Sequence, residues 1–281
     1  IFHILINFVV NIQQMATLAQ INKHSDKRDK AFNAFIEELE RRLREYQDNL
    51  LDDVESILME GYDDLSDVLI ELNKLYEDDN EYKLLIAWYK TKASELFGLS
   101  SDYFKLFDKE VPSESIDKVD AFFVAFLGSL TAYRGDVTST VTQLFITEPS
   151  TKTLVKSFKE KILGVKGRGM VFNKLLQPMR DTVLQLVRKL DTETAKEAKL
   201  DHVLYTGLPL METSRCFCEA RYEKAFTLKT VNSWNDLTWS GKIQGIDVKI
   251  AAGGYNCQHN LLYIPETTAR EIGITEMDYP C

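Results

Sequence analysis

A mainly α-helical protein carrying a small α+β module at its C-terminal end is the fold class this sequence predicts, and three observations predict it. From Asp26 to about Glu60 there is neither Pro nor Gly, and apolar residues recur at steps of three and four. The same periodicity returns in separate segments as far as about Lys199. After Leu200 it stops, and short β-prone pieces, aromatic residues and paired glycines replace it.

The first segment places Phe32, Ile36, Leu39, Leu43, Tyr46, Leu50 and Ile57 on a seam of about 3.5 residues per turn, as in a coiled coil or a long bundle helix. Asp53 stands where the seam should continue and the stripe shifts to Val54, which favours a packed helical hairpin over a free coiled coil. Ser25 is the expected cap at its start. Gly61 breaks the pattern, and Leu65, Val68, Leu69, Leu72, Leu75 and Tyr76 make a second amphipathic helix. The acidic turn Glu77-Asp78-Asp79-Asn80 ends it, and Leu84, Leu85, Trp88, Leu96 and Phe97 mark a third.

Pro112-Ser113-Glu114 reads as a helix start. The following run, Val119 to Leu130, holds three phenylalanines and is expected to be fully buried. Asp136 to Ile146, rich in Thr and Val, is open between helix and strand. Pro149-Ser150 leads into a basic stretch interrupted by Gly164, Gly167 and Gly169. A last long helix runs from about Val171 to Lys199, with a kink expected near Pro178. His202 to Gly207 reads as a short strand ending in a turn.

Composition narrows the function classes. With 44% hydrophobic and 27% charged residues among 281, the chain is globular, neither disordered nor membrane-like. A net charge of −9 argues against a protein that coats nucleic acid over its whole surface. The charge is unevenly placed: residues 1–150 carry 15 Lys and Arg against 28 Asp and Glu, whereas 151–190 carry 10 against 2. Three regions are expected on this basis: an acidic helical region (1–150), a basic helical connector (151–200) and the α+β module (201–281). The opening run Ile1–Val10 lacks the basic leader of a signal peptide and is too short to span a bilayer. Met15-Ala16-Thr17 reads as a translation start, making residues 1–14 upstream sequence; a buried N-terminal strand or helix is the competing reading. Four cysteines in a chain of this length do not make a disulfide scaffold, and a reducing compartment fits them.

Few residues carry chemistry. The Gly164–Gly169 stretch fails as a phosphate loop, because Met170 and Val171 stand where Lys and Ser or Thr are required. The carboxylates of 26–81 lie on exposed helix faces, and no nucleophile-elbow context surrounds any of the four histidines. Lys152, Lys156, Lys159, Lys161, Lys166, Arg168, Lys174, Arg180, Arg188 and Lys189 form a basic face that could neutralise phosphates. A solvated surface complementing the acidic half is the simpler reading, since no aromatic platform is interleaved. Cys218, Cys257 and His259 remain. Thiolate and imidazole are good zinc ligands, and Cys216 or His202 could complete four. The spacing is not that of a standard zinc finger, so structural zinc, packed thiols and a Cys218–Cys257 disulfide are all open.

Taken together, the pieces of the C-terminal segment form a pattern. Thr213-Ser214-Arg215-Cys216-Phe217-Cys218-Glu219-Ala220-Arg221 is followed by Lys224-Ala225-Phe226-Thr227, Trp234, and Trp239-Ser240-Gly241-Lys242. Gly253-Gly254-Tyr255-Asn256-Cys257-Gln258-His259 and Ile264-Pro265-Glu266 complete it. Over about residues 200–268 this resembles the C-terminal domain of the Mu F-type phage minor head, or head morphogenesis, proteins. The preceding Arg180-Asp181, Gln185 and Arg188 and the Tyr205-x-Gly207 turn are also similar to family members, while the N-terminal helices match only in being helical. Three departures stand out. Cys216 occupies a position where Pro or Asp is usual, Glu223 replaces a glycine before Lys224, and Gln258 replaces an arginine before His259.

The resemblance implies a non-enzymatic structural protein of the virion, assembled in the bacterial cytoplasm and placed at the portal vertex or head interior. Its implied partners are portal and capsid proteins and, through Lys152, Lys156, Lys159, Lys166, Arg168 and Lys174, packaged DNA; no membrane and no small-molecule substrate is implied. Two other classes compete: a nuclease or toxin-like effector delivered with the genome, and a zinc-stabilised interaction module of cellular origin.

Overall fold

The computed structural model describes residues 16–111, 113–164 and 169–276. The run Ile1–Val10, Pro112, Lys166, Gly167, Arg168 and Cys281 lie outside them. Among the described residues five helices come first: α1 (Leu18–Met59), α2 (Leu65–Asp78), α3 (Asn80–Lys105), α4 (Ser113–Thr147) and α5 (Thr151–Leu163). A π-helical turn, Phe172–Leu176, leads into α6 (Gln177–Ala198). Short elements follow: β1 (His202–Gly207), α7 (Cys216–Arg221), β2 (Lys224–Thr227), α8 (Leu228–Ser233) with a 3-10 turn at Trp234–Asp236, α9 (Val248–Ala251), β3 (His259–Ile264) and α10 (Glu266–Ile272). The protein is therefore a long-helix body followed by a small α+β part. Among the described residues, no helix is long and apolar enough to cross a membrane.

Packing divides the chain differently from its charge. One unit comprises Asn33–Ser94 and Val119–Val183; the other comprises Ile1–Phe32, Glu95–Lys118 and Leu184–Cys281. Neither is continuous in sequence, so the boundaries cut across the blocks 1–150, 151–200 and 201–281.

In the all-helical unit, α1 buries Phe35, Leu39, Leu43, Tyr46, Leu50, Val54 and Leu58. These fall at steps of three and four, and Asp53 is exposed as the shifted stripe requires. In α4 the buried positions among the described side chains are Phe126, Leu130, Tyr133, Val137, Val141 and Leu144. The expectation that Val119–Leu130 is fully buried is corrected here: Val124 is 65% exposed. A bundle helix turns only one stripe inward, so a dense apolar run still leaves residues outside. Asp136–Ile146 belongs to α4. Its threonines are accommodated because the hydroxyls of Thr140 and Thr142 donate to the carbonyls of Asp136 and Thr138, one turn back.

The helix ends have specific causes. α1 begins one turn before Ile21 and not at Ser25, which is buried inside the helix. Thr17 and Gln20 cap it reciprocally: the Gln20 N–H donates to Thr17 Oγ1 (3.3 Å) and the Thr17 N–H to Gln20 Oε1 (2.8 Å). Ser150 and Thr153 make the same kind of box at the start of α5. The kink expected near Pro178 takes the form of the π-helical turn that ends two residues before it. Pro178 offers no N–H, and its ring crowds the carbonyl four residues back, so the backbone widens by one residue there.

The α+β unit is built on a three-stranded antiparallel sheet in the order β2-β1-β3. Tyr205 pairs with Lys224 on one side and Leu261 on the other, and Gly207 pairs with His259. All six residues of β3 are buried. A strand covered on both faces needs apolar partners from outside the sheet. They come from distant parts of the chain: Ile21 of α1, Tyr103 and Phe104 of α3, and Ala195 of α6 share one core with Val203, Phe217, Trp234 and Leu261. Tyr103 donates its hydroxyl to the Tyr263 carbonyl (2.5 Å), Tyr263 donates to Thr192 Oγ1 (2.8 Å), and Arg28 pairs with Asp191 (2.6 Å) in a buried ion pair.

Candidate metal centre

Antiparallel register sets the first part of the site. Tyr205 lies opposite Leu261, and His259 is two residues from Leu261, so Tyr205 and His259 project to the same side of the sheet. Their rings stack at 5.5 Å and 24°. The Tyr222 ring meets His259 edge-on at 5.5 Å. His202 pairs with Ile264 at the far end of β1 and projects to the opposite side, which removes it as a fourth ligand.

The short helix α7 supplies Cys218. Phe217 beside it stacks on Trp239 at 4.0 Å, and Arg221 lies over the Phe217 ring at 3.9 Å and the Trp234 ring at 4.8 Å. Arg221 is 1% exposed and donates to the Phe217 carbonyl (2.9 Å), so it locks the helix that carries the cysteine. Cys216, the first residue of α7, is exposed and stands outside the cluster.

The turn between α9 and β3 supplies Cys257. Ala252, Gly254 and Asn256 all have positive φ, at 47°, 98° and 58°, which coils the turn tightly enough to bring the thiol back over Gly253. The Gly253 N–H donates to Cys257 Sγ at 3.1 Å. A Cβ on Gly253 would collide with Cys218 Sγ and come within 2.9 Å of Cys257 Sγ, and one on Gly254 would strike the Gly241 carbonyl. Both glycines are thus required by close approach.

Two long side chains hold this turn from either side. Arg215 donates to the Tyr255 carbonyl (2.6 Å), and the Trp239 indole N–H donates to the Gly253 carbonyl (2.9 Å). Beneath it, Arg188 of α6 is 2% exposed and donates to the carbonyls of Cys257 (2.6 Å), His259 (2.7 Å) and Ile250 (3.2 Å). Its place on a phosphate-binding face is therefore corrected: a guanidinium offers five donors in a fixed fork, and the folded turn offers several carbonyls together.

Cys218, Cys257 and His259 come together as the sequence suggested, and all three are buried. Sγ–Sγ is 3.9 Å, and Cys257 Sγ to His259 Nδ1 is 3.7 Å. Both thiols are free, so the disulfide reading is not realised. Zinc bound tetrahedrally at about 2.3 Å from sulfur and 2.0–2.1 Å from nitrogen separates S from S by about 3.8 Å and S from N by about 3.6 Å. The donor set and its spacing fit such an ion. The cluster is polarised even without one. The hydrogen bond from Cys218, then that with His259 against the cost of burial, holds the Cys257 thiol well below its usual pKa; Cys218, sharing that hydrogen bond and buried, is pushed up.

The basic candidates stand apart from this centre. Lys152, Lys156 and Lys174 are exposed and Lys159 is half-buried. Lys159 pairs with Glu55, Lys174 with Asp136 (3.3 Å), and Lys156 with Glu160 (3.9 Å). Sequence reasoning missed Tyr205, Gly253 and Arg221 as parts of the site. The signal was present for each, since all three lie within the motif pieces, but only pairing and packing give them a task. No family model, curated protein or solved structure matches this chain.

Proposed function

We propose that this chain is a structural protein of a tailed-phage virion, of the minor head type, in which Cys218, Cys257 and His259 hold a structural zinc ion and no substrate is turned over. One observation carries the reading. The motif pieces that define the resemblance are spread over residues 213–266, and side chains from separate pieces pack against one another around the buried Cys218, Cys257 and His259. Phe217 packs on Trp234 and Trp239, Arg221 lies over Trp234, Trp239 donates to the Gly253 carbonyl, Arg215 donates to the Tyr255 carbonyl, and Cys218 meets Cys257, which meets His259. Residues needed only for local structure would have no reason to converge.

Two of the departures from the family pattern support it as well. Cys216 is the first residue of α7, the helix position where Pro is favoured and where an acidic residue suits the helix dipole. Glu223 has a φ of 56°, the left-handed conformation for which glycine is the default. The residues usual in the family thus suit the backbone found at both positions.

The acidic helices are assigned to contacts with portal or capsid proteins, and Lys152, Lys156, Lys159, Lys166, Arg168 and Lys174 to packaged DNA. Co-expression with the portal and major capsid proteins of the same genome tests the assignment. Co-sedimentation with assembled heads is expected, together with about one zinc per chain by elemental analysis. Absence from particles that assemble normally would defeat the virion reading, and metal-free protein would defeat the zinc reading.

A further inference from the structure

Three protein ligands leave a tetrahedral ion one position short, and water or a protein group must fill it. We infer that Tyr205 supplies the fourth ligand, through its phenolic oxygen, so that a divalent ion of the zinc class is enclosed in a Cys₂-His-Tyr shell with no exchangeable water. The inference deepens the zinc reading and rests on it.

Distances carry it. Tyr205 Oη lies 3.4 Å from Cys218 Sγ and 3.7 Å from Cys257 Sγ. An oxygen about 2.0 Å and a sulfur about 2.3 Å from the same tetrahedral centre are about 3.5 Å apart. Four donor separations, namely these two, Sγ–Sγ at 3.9 Å and Sγ–Nδ1 at 3.7 Å, therefore have the lengths of tetrahedron edges. The missing side chain at Gly253 is a second, independent observation. A Cβ there would collide with Cys218 Sγ and lie 2.9 Å from Cys257 Sγ and 3.4 Å from Tyr205 Oη, its three nearest atoms. Only glycine at this position lets the two sulfurs and the phenol oxygen crowd together on one side of the backbone.

Burial decides between phenol and water. Tyr205 is 0% exposed, Cys218 2%, Cys257 3% and His259 7%. The stacked His259 ring and the edge of Phe217, 6.1 Å from the Tyr205 ring, fix the phenol in place. On loading, the ion replaces the protons of the two thiols and the phenol, which pass to solvent. A thiolate accepting the Gly253 N–H is the outer-shell arrangement expected around such an ion.

The experiment uses the full chain reconstituted with Co²⁺ in place of zinc, read by absorption and by competition with a chromophoric chelator. The wild type is expected to show intense visible d–d bands of a four-coordinate ion and thiolate charge-transfer absorption. Tyr205→Phe keeps the ring and is expected to keep the thiolate absorption while its d–d bands shift. Its affinity should fall at least about tenfold, the scale on which even outer-shell partners act. Far-UV circular dichroism checks that the variant folds. If it does not, ferric-loaded wild type is examined by resonance Raman scattering, where tyrosinate ring modes are expected. An unchanged Tyr205→Phe spectrum and affinity, or absent tyrosinate modes, would overturn the phenol assignment while leaving the zinc reading intact. Failure of wild type to bind Co²⁺ at all, or binding that survives Cys218→Ser, would overturn both.

Discussion

At Glu223 a single dihedral angle costs stability. A side chain held at a φ of 56° pushes its Cβ toward the following carbonyl oxygen, at roughly 1–2 kcal/mol for a non-glycine residue. Glu223→Gly is therefore expected to stabilise the protein by about 1 kcal/mol, part of the gain being lost to the greater freedom of glycine in the unfolded chain. Urea unfolding measures it, and a loss of stability would show that the Glu223 side chain has a compensating contact. Arg188 is the opposite case. Its guanidinium is the common donor for carbonyls on both sides of Cys257 and His259. Arg188→Met removes the donor those carbonyls share, and a loss of about 3 kcal/mol is expected, with loosened metal binding. If Arg188→Met bound metal as tightly as wild type, the turn would not depend on the buried cation.

At the scale of elements, Asp79 joins two helices. One carboxylate oxygen accepts the Tyr82 N–H (2.8 Å) and caps α3, while the other takes the Arg134 guanidinium of α4 at 2.5 Å. Arg134 also donates to Tyr46 Oη (2.9 Å) and lies over the Tyr82 ring at 3.7 Å. Asp79→Asn keeps a capping oxygen but leaves Arg134 without its counter-charge; Asp79→Ala loses both. The Arg134 and Asp79 side chains are 12% and 10% exposed, so the pair is largely shielded from solvent. Losing the partner is expected to cost about 3 kcal/mol in either variant, with Ala about 1 kcal/mol worse for the lost cap. Equal stabilities for Asn and Ala would show that the cap contributes nothing. Ser150→Ala, which removes a cap alone, is the control at about 1 kcal/mol.

For the molecule as a whole, pH and metal should act on the α+β unit. Burial, and then the charge of Arg28, lower the His24 pKa; Lys27 also lowers it, while the Leu99 backbone and Asp102 act the other way. The native state then takes up its proton at lower pH than the unfolded chain does. Stability contributed by neutral His24 is complete above the unfolded value of about 6.5 and is lost as pH falls below it. Thermal midpoints should drop between pH 7 and 5, and His24→Gln should flatten that slope; an unchanged slope would assign the acid sensitivity to other groups. Chelation should lower the unfolding midpoint of the metal-loaded protein, because an ion bound only by the native state adds stability as RT ln(1 + [L]/Kd), about 4 kcal/mol at a thousandfold excess over Kd. An identical midpoint with and without chelator would mean that no stabilising ion is held.

How much of this was legible beforehand follows from the range of each interaction. Helix periodicity repeats within a few residues, so Leu39, Leu43, Tyr46 and Leu50 could be placed on a buried stripe, and His202–Gly207 read as a strand, from local order alone. The pairing of two cysteines and a histidine was readable because their residue types suit one task and occur in one motif-rich segment. Ser25 as a cap and Val119–Leu130 as wholly buried failed because a cap depends on where the helix begins and burial on what packs alongside. Neither is encoded in the residues concerned. The sequence by itself determined the helical periods, the strand His202–Gly207 and the grouping of Cys218, Cys257 and His259. Only the tertiary structure decided that β3 is covered by helix residues far away in the chain, that Arg188 faces inward, and that Tyr205 and Gly253 complete the cluster. The physical reason is that strand register, close backbone approach and the satisfaction of buried carbonyls are contacts between distant segments, and they exist only once the chain has folded.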